Sequence, residues 1–330
     1  MIQIQRQSNS EVTDYYLDVV AGMCARKEDI YGYSHLLSEC KKNDVIIVPT
    51  AIDFLKVYLR GFRRIVYWMQ GIDAEESYLK HHSLWRKNIL DVFTWFALKK
   101  AKAVFFVSNE MKRYEERKFK VELERKSFIM PCFNVTNKKG LLIDKGKYSK
   151  KVFTYVGSLS QWQCFSQTVD LYKQIESKYS DAEFKVFTFS EEEAKQILLE
   201  KGVKNFSVSS VPPDQMTQAL KDVKFGFVLR DNISVNNVAT PTKLSSYLSA
   251  GVIPIYSTSL IDFYEKTRDL NYCVPVDDIS QIPDKLVDLI ENSVDYELLC
   301  KEYNHLFNTY YNPDYYTYMY HERLCELLQK

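Results

Sequence analysis

Residues 225 to 256, FGFVLRDNISVNNVATPTKLSSYLSAGVIPIY, constrain the fold most, because they read as strand, polar loop, helix and strand. FGFVL and VIPIY are short apolar runs rich in Val, Ile and aromatics, the pattern of strands buried on both faces of a parallel sheet. The helix between them is marked at both ends. Thr240 is expected to cap it, Pro241 suits the first helical position, Leu244, Tyr247 and Leu248 form an apolar stripe, and Gly251 ends it. The free amides and positive dipole end of such a helix face the carboxyl edge of the sheet. Lys243 lies in the first turn and Arg230 ends the preceding strand. Two cations beside a helix N-terminus suit a diphosphate. The alternative is that both are solvated charges closing an ordinary α/β unit.

At 330 residues the chain exceeds the size at which one core usually stops growing, so two domains are expected. Hydrophobic residues make up 46% and charged residues 26%, which excludes a disordered or membrane-spanning class. The longest apolar stretches, such as VFTWFAL at 92 to 98, fall far short of the ~20 residues a spanning helix needs. No signal peptide is read before the first strand, and a cytoplasmic location is expected. The seven cysteines show neither CxxC nor Cys/His ligand spacing and are expected to be reduced thiols. The five histidines, His81 and His82 among them, form no HExxH pattern, so no metal is expected.

Net charge hides an asymmetry. Residues 1 to 150 hold 27 Lys and Arg against 18 Asp and Glu, whereas residues 151 to 330 hold 17 against 25. The split supports a boundary near GKYSKK at 146 to 151, where a basic polar stretch precedes a new strand. A basic first half suggests an anionic acceptor or a membrane surface; simple attraction between the two domains is the alternative.

The first half alternates IQIQ, the helical VTDYYLDVVAGM, DVIIVP, DFLKVYLR, RIVYWM, a long helical pattern from Ser77 to Ala101, AVFFV and FIMPC. The second half repeats the habit with VFTYV, a helix from Gln161 to Tyr179, FKVFTF, EEEAKQILLEK, FSVSSV, PPDQMTQALKDV and the segment already described. Such β/α alternation predicts two Rossmann-like domains, each a parallel sheet covered by helices, facing one another across a cleft. The domains expected are 1–150, 151–312 and a terminal helix at 313–330. The tyrosines of PDYYTYMYHERLCELLQK have no catalytic pattern and are read as packing.

The second domain opens with TYVGSLSQWQ, in which a strand ends at Val156 and turns through Gly157 and Ser158. Gly157 would let the backbone approach a ligand, Ser158 and Ser160 offer hydroxyls, and Trp162 and Gln163 follow. No GxGxxG is present, which disfavours a dinucleotide. In the first domain, strand 64 to 69 runs into QGIDAEE. Glu75 and Glu76 read as acids stabilising a helix N-terminus, while Gln70, Gly71 and Asp73 are the better ligand candidates. The turn from Gln7 to Glu11 would lie beside them.

The YVGSLSQWQ turn, VLRDNISVNNVATPTKLSSYLSAGVIPI, YWMQGIDAEESY and the run from VFFVSNEMKRY to FIMPCFN together resemble GT-B nucleotide-sugar glycosyltransferases, in particular the large bacterial retaining family. The resemblance spans most of the chain, and its most specific part is PTKLxxYLxxG. It implies that the second domain holds the nucleotide diphosphate, that the first presents the acceptor, and that the C-terminal helix crosses back to the first domain. On this basis Gly157, Ser158, Trp162, Arg230, Pro241, Thr242, Lys243 and Ser246 bind the donor, with Gln70, Gly71 and Asp73 near the sugar and acceptor. The reaction implied is attack by an acceptor hydroxyl on the anomeric carbon with nucleoside diphosphate leaving, without metal or further cofactor. Three positions depart from the family, which commonly has Glu where this chain has Ser246 and Val238 and, in many members, a basic residue where it has Ser158.

The function expected is transfer of a sugar to a glycan or lipid-linked acceptor in bacterial-type polysaccharide or glycolipid synthesis. The basic residues Arg60, Arg63, Arg64, Arg86 and Lys87 would favour a lipid-pyrophosphate acceptor and contact with the membrane's inner face. The alternative is a GT-B protein that binds without turnover, which Ser246 and Val238 favour. A sugar-nucleotide epimerase would need carboxylates and a His around the sugar, and the second half has only His305 and His321, both in its terminal helical region. Nucleic acid is not an expected partner, since LRGFRR and MKRYEERKFK lack an aromatic platform.

Overall fold

The structure, a computed structural model, describes residues 2–4, 11–24, 40–136, 141 and 143–329. The chain divides into two compact units. One is Met1–Cys132 with Val238–Thr240 and Asn312–Lys330, and the other is Phe133–Asn237 with Pro241–Tyr311.

The first unit holds a five-stranded parallel sheet ordered β1 (Ile2–Ile4), β2 (Val45–Val48), β3 (Ile65–Met69), β4 (Ala103–Phe106) and β5 (Ser127–Ile129). Around it lie α1 (Glu11–Cys24), α2 (Ala51–Leu59), α3 (Asp73–His81), α4 (Leu84–Lys100) and α5 (Asn109–Phe119). All five residues of β3 are buried, the condition that produces an unbroken apolar run instead of an alternating one. Trp68 of β3 stacks on Tyr16 of α1 at 4.3 Å. The single helix expected from Ser77 to Ala101 is two helices. His82 adopts a left-handed conformation at φ +50°, and the Ser83 hydroxyl accepts a bond from the Arg86 amide at 3.4 Å, capping α4 afresh.

The second unit holds a six-stranded parallel sheet of β6 (Val152–Val156), β7 (Glu183–Phe187), β8 (Phe206–Ser209), β9 (Phe225–Val228), β10 (Ile253–Ser257) and β11 (Val274–Val276). Its order is β11-β10-β9-β6-β7-β8. The order reverses between β6 and β9, and open sheets of this kind bind ligands outside the carboxyl ends of the strands at such a switch point. Its helices are α6 (Phe165–Lys178), α7 (Glu191–Glu200), α8 (Met216–Ala219), α9 (Ser234–Asn237), α10 (Lys243–Ser249), α11 (Ile261–Thr267), α12 (Asp284–Glu291) and α13 (Tyr296–Asn308). Residues 133–150 group with this unit, where Tyr148 donates its hydroxyl to the Gly251 carbonyl at 2.8 Å.

Two helix boundaries differ from expectation. The helix expected from Gln161 begins as a 3-10 turn over Gln161–Gln163 and breaks at Cys164, at φ +51°, before α6. The helix α10 begins at Lys243, and Pro241 and Thr242 precede it. Thr240 does not cap it: its hydroxyl accepts the Cys132 amide at 2.9 Å within the first unit. The loop after β9 also contains the short α9. Helix α10 lies close on the sheet, since a Cβ on Gly226 would meet the Tyr247 ring at 2.5 Å.

The last helix, α14 (Pro313–Gln329), groups with the first unit. Tyr320 donates to the Ile129 carbonyl at 2.9 Å, its ring meets Phe128 at 5.2 Å, and His321 Nδ1 lies 2.8 Å from the Met23 carbonyl oxygen. Tyr316 and Tyr320 are packing residues, as read from their spacing, while Tyr318 is exposed.

Candidate functional site

The site in the second unit grows from the switch point. Strand β6 delivers Gly157 at φ +140°, a conformation that L side chains rarely adopt. A Cβ there would meet Lys243 Nζ at 2.7 Å and Gln163 Oε1 at 2.9 Å. The turn is therefore tight because the two side chains close over the bare backbone. Strand β9 delivers Arg230, which is 6% exposed. Helix α10 delivers Lys243, partly exposed in the wall of a cavity.

Gln163 joins the cations. Its Oε1 accepts from Lys243 Nζ at 2.7 Å and from Arg230 Nη2 at 3.3 Å, and its Nε2 donates to Ser158 Oγ at 2.9 Å. Arg230 Nη1 donates to its neighbour's carbonyl, Leu229 O, at 3.1 Å. Lys243 also lies over the Tyr155 ring at 5.0 Å. Among the described residues neither cation has a carboxylate within ion-pair distance, as Lys87 and Lys118 of the first unit do. Burial, and then the charge of Arg230, holds the Lys243 amine well below its ordinary range, and burial lowers Arg230. A carbonyl and a shared amide oxygen leave positive charge uncompensated, and an arriving anion would match it.

These residues edge a cavity of about 360 Å³. Five of the eight donor-site residues expected from the sequence line it: Gly157, Ser158, Thr242, Lys243 and Ser246. Arg230 reaches it through Gln163 and itself lines a second, polar cavity of about 300 Å³ with Asp231, Asn232, Thr258, Asp277 and Asp278. Trp162 and Pro241 line neither. The Gly157 amide donates to the Phe187 carbonyl at 2.9 Å, and the amides of Leu244 and Ser245 turn back to Pro241 and Thr242, so these donors are already engaged.

Sequence reasoning missed Asn134, Phe189, Ser210 and Met216 in the lining and gave Gln163 no role. Asn134 Oδ1 accepts from Ser245 Oγ at 2.8 Å and from Ser246 Oγ at 3.1 Å. A neutral amide and two hydroxyls therefore meet at Ser246, one of the positions where the sequence departs from the resemblance. Val238, another departure, is buried in the first unit, where its carbonyl accepts Ser108 Oγ at 2.7 Å. Phe189 stands 83% exposed at the cavity.

In the first unit Gln70, Gly71 and Asp73 follow the carboxyl end of β3. Gln70 is exposed, with Oε1 3.4 Å from Thr13 Oγ1. A Cβ on Gly71 would collide with the Glu76 carboxylate. Asp73 opens α3, and burial, then Glu76 and Glu75 against the opposing Lys80, pushes it up to about 6. Glu115, behind it, is pushed up to about 8 by burial and the surrounding acids against Lys118. Glu75 goes the other way: against burial, bonds from Lys118 at 2.7 Å and Tyr114 at 2.8 Å hold it below the ordinary range. Of the turn expected at Gln7 to Glu11, residues 7–10 lie outside the described residues. No three His, Cys, Asp or Glu among the described residues are grouped to hold a metal ion.

Two parallel Rossmann-like units with sheets of this topology have the GT-B fold, which solved structures of glycosyltransferases share. Among solved structures, Anabaena HepE in complex with UDP and glucose matches with a TM-score of 0.67 and 10% identity over 100% of this chain and 99% of its own. A glycosyltransferase from Rickettsia africae matches with a TM-score of 0.67 and 11% identity, over 100% and 98%. TarM of S. aureus, solved with fondaparinux, alpha-GlcNAc-glycerol and UDP, matches with a TM-score of 0.66 and 11% identity over 88% of this chain; the chain spans 56% of TarM's length. No family model and no curated protein matches the sequence.

Proposed function

We propose that the protein is a glycosyltransferase that moves a sugar from a nucleoside-diphosphate sugar to a hydroxyl of a glycan or lipid-linked acceptor. The observation that carries this is the pair of cations, Lys243 and Arg230, held at the switch point by one neutral amide beside a bare glycine turn. The donor diphosphate takes the place of the Gln163 oxygen before both cations, and the nucleoside extends into the cavity past Ser246 and Asn134 toward Phe189. Negative charge growing on the leaving phosphate then meets donors already in position, with little reorganisation. With two fixed cations there, the reaction is proposed to need no divalent metal. Asp73, whose carboxyl burial pushes up to about 6, is the candidate to accept the acceptor's proton. Retention of configuration follows from the sequence resemblance alone and is tested by the anomeric signal of the product. We place the protein in the cytoplasm, at the inner face of the membrane; no helix among the described residues is long and apolar enough to cross one.

A second reading is a GT-B protein that binds a nucleotide without turnover, favoured by the hydroxyl at Ser246. The test is thermal stability against a panel of nucleoside diphosphates and their sugars without metal, since ligand at 100 times its Kd stabilises by about 2.7 kcal/mol. A selective shift lost in Lys243→Ala, together with slow hydrolysis or transfer of the same donor, supports the transferase. A shift without turnover on any acceptor supports the second reading, and no shift overturns both.

A further inference from the structure

We infer that the ridge formed by α2 and α4 in the first unit seats the protein on an anionic lipid bilayer. Residues 85, 88, 92, 95 and 99 recur at helical spacing and share one face of α4. On it Trp85 is 74% exposed and Val92 59%, with Trp95 also exposed and Leu84 at the helix start. Helix α2 packs beside α4 through Tyr58 and Phe96, whose rings meet edge to face at 5.0 Å, and adds exposed Leu59 and Ile52. Single exposed apolar side chains are ordinary, whereas six large ones on two helices packed side by side are of the kind that marks an interaction surface. Between α4 and the end of α5, Asp91, Val92, Trp95 and Phe119 line a shallow crease.

The charges among these side chains select the occupant. Lys56, Arg60, Arg86, Lys99 and Lys100 are exposed. Lys99 stacks over Trp95 at 4.4 Å and Arg63 over Tyr58 at 4.0 Å, so cations and rings form one surface. Both acids on these helices are paired: Asp53 is buried and bonded to Thr50 and to Lys56 at 3.4 Å, and Asp91 pairs with Lys87 at 2.7 Å and with Lys118, which leaves Arg60, Arg86, Lys99 and Lys100 as the cations of the surface. Lys87, one of the basic residues expected to meet an acceptor, is thus already paired. A second copy of this ridge would oppose cation to cation. Indole rings and long cationic side chains together suit the headgroup layer of an anionic membrane.

This inference does not rest on the donor-site reading. The test is sedimentation of the full chain with phosphatidylcholine vesicles containing a third phosphatidylglycerol, against phosphatidylcholine alone, with tryptophan quenching by brominated lipid. Binding is expected only to the anionic vesicles, falling with salt and falling about fivefold for each cation removed in Arg60→Gln and Lys100→Gln. Quenching should be lost in Trp85→Ser/Trp95→Ser, with an unchanged melting temperature as the check on folding. If those variants do not fold, quenching and salt dependence of the unaltered protein still decide. Equal binding to both vesicles, binding to neither, or variants that bind like the parent would overturn the inference. A dimer abolished by Trp85→Ser/Trp95→Ser would instead assign the ridge to a second copy.

Discussion

Lysines packed among carboxylates in the first unit and lysine and arginine packed without them in the second show how differently buried charge is handled in one chain. Lys118 meets Glu75 at 2.7 Å and also Asp91, and Lys87 meets the same two acids at 3.2 and 2.7 Å. Lys243 and Arg230 share the neutral oxygen of Gln163. A charge removed from water without a counter-charge is costly, and a paired one is less so. The first arrangement is complete without a ligand, whereas the second, on the function proposed here, is completed by an anion. The contrast teaches which of the buried cations belongs to the fold and which belongs to a function.

The strongest way to break the contrast is to rebuild the first arrangement inside the second. Gln163→Glu would place a carboxylate before both cations. It is expected to raise the melting temperature of the ligand-free protein and to weaken nucleoside-diphosphate binding about 10- to 150-fold, the range of a charge-assisted bond worth ~1.5–3 kcal/mol. Titration calorimetry reads the affinity, and an unchanged value would remove the diphosphate from Gln163. The next effect is a difference in sign. Lys118→Met leaves Glu75 and Asp91 to share Lys87 alone and should destabilise the fold by about 1–3 kcal/mol in denaturant melts. Lys243→Met removes an unmatched charge and should leave ligand-free stability equal or up to ~1 kcal/mol higher while abolishing the nucleotide shift.

The same contrast governs what could be read before the fold was known. Strands β3, β9 and β10 were legible because burial on both faces leaves continuous runs such as IVYWM and FGFV. Arg230 and Lys243 were legible because each sits where an element meets the sheet's carboxyl edge, a position local sequence marks. Gln163 and Asn134 were not, since their partners Lys243 and Ser246 lie 80 and 112 residues away and only tertiary packing joins them. The misplaced helix start has the same origin. Thr240 has the chemistry of a cap, but the Cys132 amide holds its hydroxyl. The break at His82 and Ser83 was local and readable: a Ser before an apolar run is a cap signal, and the periodicity on both sides concealed it.

A smaller effect tests the turn itself. Gly157→Ala puts a methyl where Lys243 Nζ and Gln163 Oε1 now sit and asks an L side chain to hold φ +140°. A cost of about 1–3 kcal/mol is expected, with a reduced nucleotide shift in the folded fraction. A variant with unaltered stability and binding would show that the turn relaxes freely and that the close approach there has no bearing on the ligand.

The smallest effect is a proton. Burial and Arg230 hold the folded Lys243 well below the 10.5 of an ordinary lysine. Between those two values the unfolded chain binds more protons than the folded one, so ligand-free stability from this group rises with pH across that window. A bound diphosphate draws the amine back toward its charged form, so binding takes up a proton there and affinity falls as pH rises, by at most tenfold per pH unit for one group. Calorimetry in buffers of different ionisation enthalpy, above pH 7.5 where the nucleotide's terminal phosphate (pKa ~6) is fully ionised, measures that uptake directly. It should vanish in Lys243→Met and persist in Lys118→Met, which leaves Lys243 and Arg230 unaltered. Uptake that survives Lys243→Met would assign the titrating group elsewhere and take from Lys243 its place as the charge awaiting a partner.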